Sequence, residues 1–484
     1  MSLATACGVT VLRSLCISFI GVFLARRLTP PTRKAFESRS WFLLILILSP
    51  LFVPELLVGY AWSLISVRFV QYPALVELTY STLVLMKVVP VGILCFSMAG
   101  GALISPEADF IRRVFRAPRS RLASLKTRAS FFLWNSLRLL IPVWTLLFLL
   151  SFQEFEIASL MYRDSWTVWI FDAQAGGVPV QETLSFLLAP LVIEVVILLG
   201  VFSLLQRFQR ETRKVNANET PTPVLQKAKL WDWCYLGTAF ALVVLVPFLL
   251  ISGGSLQSLL NLLQNQYQLV SILQECAWAL AYAATTGIAA WGLASFFLKQ
   301  NTTVFTGLTG LLCCLPGLCG ALILALGLAS LFLTRAGSVM YGTPIPVLLG
   351  FVLFLFPRAL FLRLMLLKRE QHAGLFLAQI LRQSPRPSQA GQGGELLWAV
   401  SGRMQLWAVV LLAFWAYWDV TISSILAPGS TMTSAVRLYG LMHYGQNAML
   451  SAITFFCFLV PVCLCLALVP IVKRFWIASY RVPV

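Results

Sequence analysis

The sequence predicts an all-α integral membrane protein with about eleven transmembrane helices in two tandem repeats of the same orientation. Three observations carry this. Of the 484 residues, 59% are hydrophobic and only 11% charged, and the mean hydropathy is +0.84, which is more apolar surface than a water-soluble fold of this length buries. The apolar residues gather in runs long enough to cross a bilayer, whose core of about 30 Å takes roughly 20 helical residues. Landmarks of the first half return at offsets of 265 to 267: Gly21 as Gly287, Pro50 as Pro316, Pro90 as Pro357, Glu107-Ala108 as His372-Ala373, Ala117-Pro118-Arg119 as Ser384-Pro385-Arg386, and Glu154 as Asp419. Single matches mean little in so apolar a chain, but six in the same order, over runs that recur in step, read as duplication.

The elements follow in order. Residues 8 to 25 form the first span: the start lacks a basic region, Arg13 interrupts the run, and Arg26-Arg27 follows it where a cleaved signal would have small residues. The next spans are 41 to 62 with Pro50, 81 to 104 with Lys87 and Pro90, 131 to 151 with Arg138, and 183 to 206 with Glu194. These make a first module, 1 to 206. A polar linker, 207 to 230, leads to a second module, 231 to 484, with spans at 231 to 252, 267 to 298, 303 to 333, 343 to 366, 404 to 426 and 448 to 472. The first module has five spans and lacks a counterpart of the helix that opens the second. Helices are required because an unpaired backbone group in lipid costs several kcal/mol, and the runs lack the alternation of a barrel.

The net charge of +18 invites a nucleic-acid partner, but its distribution argues otherwise. Only Arg68, Arg163, Arg335 and Arg437 fall in loops on one side, while nearly all other basic residues lie in alternate loops at 26 to 39, 112 to 128, 207 to 229 and 368 to 403, and in the tail from Lys473. That is the positive-inside pattern: amino terminus outside, carboxyl terminus cytoplasmic, and basic loops solvated beside a membrane with no nucleic acid implied. The eleven cysteines lie almost entirely in apolar runs, where small polarizable residues pack between helices, so neither a disulfide framework nor a metal centre is expected. Two histidines, His372 and His443, fall on opposite sides, and no G-x-x-x-x-G-K-[ST] loop is present. No enzymatic centre, cofactor or ATP-driven motor is expected in this chain.

The cytoplasmic loops after the third span of each repeat are long for connections between packed helices, where two to eight residues is usual. The first, 105 to 130, has room for an amphipathic helix with Phe110, Val114 and Phe115 on one stripe and Arg112, Arg113 and Arg116 elsewhere. The second repeats the plan with Leu375, Leu377, Ile380 and Leu381, followed by a Pro/Ser/Gly/Gln-rich linker. Such a segment either lies in the membrane interface or docks a peripheral partner.

With the segments LLSFQEFEIASLMYRDSWTVWIFDAQAGG (149 to 177) and AFWAYWDVTISSILAPGSTMTSAVRLYGLMHYGQNAMLSA (413 to 452), and the proline-bearing spans around Pro50 and Pro316, the whole chain resembles a fused two-module permease of a binding-protein-dependent ABC importer of the ferric-iron and thiamine type. The resemblance implies a bacterial inner-membrane protein with ABC ATPase subunits beneath it and an extracytoplasmic substrate-binding protein above it. It implies that Glu107, Ala108, Ala117 and Pro118, and His372, Ala373, Ser384 and Pro385, belong to EAA loops that couple to the ATPases. The chain departs from that pattern at Asp109, Arg113, His372 and Ala378.

The path itself is argued from charge inside spans, where an isolated ionised residue costs about 2.5 to 3.5 kcal/mol. Glu154 and Asp419 are repeat equivalents, and with Glu156 and Thr421 they are the candidate residues of a translocation path; two carboxylates on one path favour a cation or cationic solute. The competing reading is that each caps or pairs locally, for instance with Arg138 or Arg437. The segment FDAQAGG reads as an ordered re-entrant or loop segment. Two other classes remain: a secondary transporter coupled through its intramembrane carboxylates, and a membrane-embedded enzyme, for which only the acidic loop around Asp164 and Asp172 offers a polar cluster.

Overall fold

Wherever regular structure is described it is helical. A computed structural model describes residues 2–37, 40–98, 140–212, 230–253, 255–300, 305–335, 337–369, 372–383, 386–443 and 449–479. Among these, nine helices are long and apolar enough to cross a membrane, and two sharply bent helix pairs raise the number to as many as eleven. This is the architecture of a multi-pass membrane protein. The chain divides into two compact units, Met1–Leu250 and Ile251–Val484.

In the first unit, α1 (Leu3–Glu37) packs along α4 (Pro73–Met98). Their shared core holds Ala25, Leu28, Tyr80, Leu83, Val89 and Phe96. Between them the chain runs through α2 (Trp41–Phe52) and α3 (Glu55–Ser66). The sequence suggests one span over 41 to 62, but the structure bends it by 81°. The cause is Pro54, which has no N–H and forces its predecessor out of the helical region: Val53 sits at φ −81°, ψ 124°. Next come α5 (residues 140–152), the short α6 (Glu156–Leu160), α7 (Trp166–Ala175) and α8 (Val180–Thr212). Trp144, Phe148 and Phe152, one turn apart on α5, stack into a ladder that continues to Trp166, with centroids 5.8, 5.4 and 5.4 Å apart.

The helix from Leu230 to Ser252, α9, carries a π turn at Ala241–Leu245. It packs on α2, and Leu236, Ala239 and Val243 enter the first unit's core. The Trp62 indole N–H donates to the Leu242 carbonyl in that turn at 2.9 Å, and Arg27 pairs with Asp232 at 2.6 Å. The spatial division at Leu250 and the modules read from the sequence, with the second beginning at 231, are therefore different partitions of the chain.

The second unit runs through α10 (Ser255–Gln264), α11 (Gln266–Gln300), α12 (Phe305–Leu318), α13 (Ala321–Phe332), α14 (Ile345–Arg369), α15 (His372–Arg382), α16 (Pro387–Leu397), α17 (Arg403–Tyr417), α18 (Thr421–Leu426), α19 (Ser434–His443) and α20 (Leu450–Ser479). Helix α11 packs on α14 and α17. The span expected over 303 to 333 is bent by 107° between α12 and α13. Here the agent is Gly320 at φ 85°, a left-handed conformation that a side chain disfavours. Residues 54 and 320 are 266 apart, so the two breaks fall at corresponding positions although one is made by proline and the other by glycine.

Two further expectations are corrected. The stretch after Pro385, read as a linker, contains the helix α16, with Pro387 in its first turn. It lies against α15 so closely that a Cβ on Gly393 would stand 2.6 Å from the Arg382 nitrogen and 2.9 Å from the Ala378 carbonyl. FDAQAGG is the second half of a regular helix, α7, started by Ser165 and ended at Gly176.

Candidate functional site

In the first unit, two helix breaks touch. Helix α3, the arm after the Pro54 break, packs on α6, the short helix after the α5 break. Gly59 makes this possible: a Cβ there would be 3.0 Å from the Ile157 Cα and 3.2 Å from the Glu156 carbonyl oxygen. Several charged side chains gather around this contact. The Lys87 ammonium, on α4, donates to the Val53 carbonyl that Pro54 leaves without a helical partner. Lys87 is 7% exposed, and the carboxyl groups acting on it are Glu55, Glu156 and Glu154.

Glu154 sits in the α5–α6 break and is 6% exposed. Three donors meet its carboxylate: the Tyr80 hydroxyl at 2.6 Å and the Ala158 N–H at 3.2 Å on Oε2, and the Ile157 N–H on Oε1. It therefore caps α6, supplying the acceptors that the first N–H groups of any helix need. The start of α7 closes the other side: the Trp166 indole donates to the Phe152 carbonyl at 2.9 Å, and the Thr167 hydroxyl to the Glu154 backbone carbonyl at 2.9 Å. Tyr80 also lies under Arg13, whose guanidinium is 4.7 Å from the ring centroid. Arg13 is paired with Glu77 and donates to the Asp164 carbonyl at 3.2 Å.

The second unit has a related arrangement with less charge. Helix α13 packs on α18, and Asp419 Oδ1 accepts from the Ile422 N–H at 2.7 Å, so Asp419 stands to α18 as Glu154 stands to α6. Thr421 opens α18 and is buried. Arg437, considered as a partner for Asp419, is bonded instead to Glu275 and, at 3.1 Å, to the Ser271 hydroxyl. The hydroxyl groups of Tyr282 and Thr431 meet at 2.7 Å, and those of Ser434 and Tyr417 at 3.3 Å.

The local reading of the two carboxylates thus has direct geometric support. Glu156, in the first turn of α6, is half-buried. Of the residues assigned to coupling loops, His372 and Ala373 begin α15, while Glu107, Ala108, Ala117, Pro118, Ser384 and Pro385, together with Arg138 and the stripe of Phe110, Val114 and Phe115, lie outside the described residues. On α15 the face toward α16 is made by Ala378, which is buried, and the exposed stripe is Phe376, Leu377 and Ile380, at 66, 50 and 50% exposure. The stripe expected from sequence is shifted: Leu375 and Leu381 are half-buried and Phe376 takes their place outside.

Trp166 is one of the aromatic residues of the acidic loop in the sequence, whereas Tyr80, Thr167 and Gly59 were not singled out by sequence reasoning. A tyrosine in an apolar run and a glycine among many carry no local signal; only Ser165-Trp166-Thr167, a cap residue opening a helix, could have been found. Among the described residues no group of three or more His, Cys, Asp or Glu side chains is placed to hold a metal ion. No family model, curated protein or solved structure matches the chain.

Proposed function

We propose that the chain is the membrane permease subunit of an ABC importer, forming the path for a small, cationic solute and taking its energy from separate ATPase subunits. The observation that carries the reading is the α15–α16 hairpin. It lies between the span α14 and the candidate span Gly391–Tyr417, whose start is the second half of α16, and it keeps an apolar stripe of Phe376, Leu377 and Ile380 exposed while Ala378 and Gly393 face inward. Exposed contiguous apolar side chains on a connecting helix suit docking into a groove of a partner protein. The duplicated plan adds support: in each unit a long helix is followed by a bent pair, a long helix, a span ending in a break, a short capped helix, a further short helix and a final long helix. In this reading the basic loops are cytoplasmic, a substrate-binding protein meets the opposite face, and the braced breaks with Glu154, Glu156, Asp419 and Thr421 shape the path.

Co-expression of the full chain with a candidate ABC ATPase subunit tests the reading. The two should co-purify, and Phe376→Asp with Ile380→Asp should abolish the association while leaving the membrane protein folded. Retained association after both substitutions counts against the docking face. Uptake that persists without any ATPase and collapses with the proton gradient would replace the importer with a secondary transporter.

A further inference from the structure

The carboxyl group of Glu194 is fully buried and, among the described residues, only half satisfied. It lies within the apolar span Val180–Val201 of α8 and is 0% exposed. It shares a buried stripe with Thr183, Leu187 and Leu198, while Leu188, Val192, Val196 and Leu199 point away at 60, 57, 62 and 48% exposure, as lipid-facing side chains do. Its Oε1 accepts one bond, from the Gln153 amide at 2.9 Å, and its Oε2 has no hydrogen-bond partner.

The contrast with Glu154 is informative, because Gln153 and Glu154 are adjacent in the same helix break. Three donors meet the Glu154 carboxyl group, whereas a single neutral amide reaches Glu194. Among the described residues no cation is bonded to it. The described elements that pack most on α8 are α7 and α1, with the α5–α6 break reached through Gln153. They carry Asp172, which is exposed; Arg13, which is paired with Glu77; Arg26; Arg27, which is paired with Asp232; Cys7 and Cys16; and Glu154, which is bonded to Tyr80 and α6. Glu182, on α8 itself, is exposed. A carboxylate stripped of water and left with one donor is unfavourable, whereas the protonated acid removes the charge and turns the orphan oxygen into a hydroxyl.

We propose that Glu194 is a proton-binding site: it carries a proton while α8 rests against the α5–α6 break, and it transfers that proton to water when the contact opens and solvent reaches it. Proton binding and the position of the break are then linked, with acid favouring the closed contact seen here and alkali the open one. The ligand is a proton, and the moving part is the segment that carries Gln153 and Glu154, so solute transit and proton occupancy act on one element.

Infrared spectroscopy of the full chain in lipid nanodiscs tests this. At pH 7 the protein should show the carbonyl stretch of a protonated carboxylic acid. Glu194→Gln, which keeps the shape of the neutral acid, should remove that band, and Gln153→Leu should shift it without removing it. Amide exchange across residues 153 to 158, corrected for intrinsic rates, should quicken from pH 6 to pH 8 in the wild type and lose that dependence in Glu194→Gln. Absence of the band, or its persistence in Glu194→Gln, overturns the protonated state. A band that disappears as expected with exchange that never depended on pH overturns the linkage. Neither result bears on whether an ATPase docks at α15, so failure here and failure of the importer reading are distinguishable.

Discussion

The cap at Glu154 sets a quantitative test. Tyr80→Phe removes one hydroxyl from the set of three donors and leaves the ring under Arg13 in place. A hydrogen bond to a charged group contributes about 1.5 to 3 kcal/mol, so Tyr80→Phe should destabilise the chain by about 2 kcal/mol, with both backbone N–H bonds remaining. Glu154→Gln should cost more, about 3 kcal/mol, because its NH₂ cannot accept. If the NH₂ replaces Oε1 it faces the Ile157 N–H; if it replaces Oε2 it faces the Ala158 N–H, and only the Tyr80 hydroxyl can turn to accept instead. Either way a buried donor is orphaned. The pair should be non-additive by about 1 to 2 kcal/mol, since the two substitutions remove one bond in common. The assay is reversible unfolding of the full chain in mixed micelles, followed by tryptophan fluorescence, with all four members of the cycle. A Tyr80→Phe variant as stable as the wild type, or a Tyr80→Phe and Glu154→Gln pair whose effects simply add, would refute the assignment of Glu154 as a cap braced by the Tyr80 hydroxyl.

Three other outcomes are expected. Gly320→Ala should cost about 1 to 2 kcal/mol through its left-handed backbone, whereas Gly59→Ala should cost a comparable amount by pushing α3 off α6, and only the latter should alter amide exchange in residues 156 to 160. Ser165→Ala, which removes the acceptor for the Val168 N–H at 3.1 Å, should lower stability by about 1 kcal/mol in the same unfolding assay, and Ser165→Asp should restore it. Arg27→Met should destabilise by about 2 kcal/mol, less than the 3 to 5 kcal/mol of a fully buried pair because Arg27 is 39% exposed, and Asp232→Asn should recover most of the loss.

The scaffold was legible because lipid imposes a simple rule: apolar runs of about 20 residues become helices, and each of the eleven runs has a helix or bent helix pair over it. The bends were not legible from the same signal, since hydropathy sums over a window and is blind to direction. Pro54 and Gly320 were in view, yet a proline or glycine in a span is tolerated wherever neighbours satisfy the freed groups, so neither residue alone announces a bend of 81° or 107°. Glu154 and Asp419 were found through the offset of 265, but their bonds were not, because the Tyr80 donor is 74 residues away on another helix. On α15 two of the four expected apolar residues, Leu377 and Ile380, are exposed and the other two, Leu375 and Leu381, are half-buried: a helical wheel tells which residues share a face, whereas the neighbour, here α16 with its glycines, decides which face is buried. Composition marked 387 to 397 as a linker; small residues that would weaken an isolated helix let this one pack tightly against α15.

A broken span is a demanding thing to keep inside a membrane, because each break frees backbone groups that lipid cannot satisfy. In the first unit several of the freed groups have a specific partner: Lys87 for the Val53 carbonyl, Trp166 for the Phe152 carbonyl, Thr167 for the Glu154 carbonyl, and the Glu154 carboxylate for two N–H groups of α6. Simple spans would need none of these side chains, and several are individually unfavourable in an apolar interior. Their joint presence means that the bent geometry, and not merely the crossing of the membrane, is what the residues hold in place. Discontinuous helices are where a membrane protein can present polar groups at depth, and here they also bring Gln153 against Glu194. In the first unit these buried polar side chains therefore gather at the helix breaks, because that is where the backbone needs partners that lipid cannot supply.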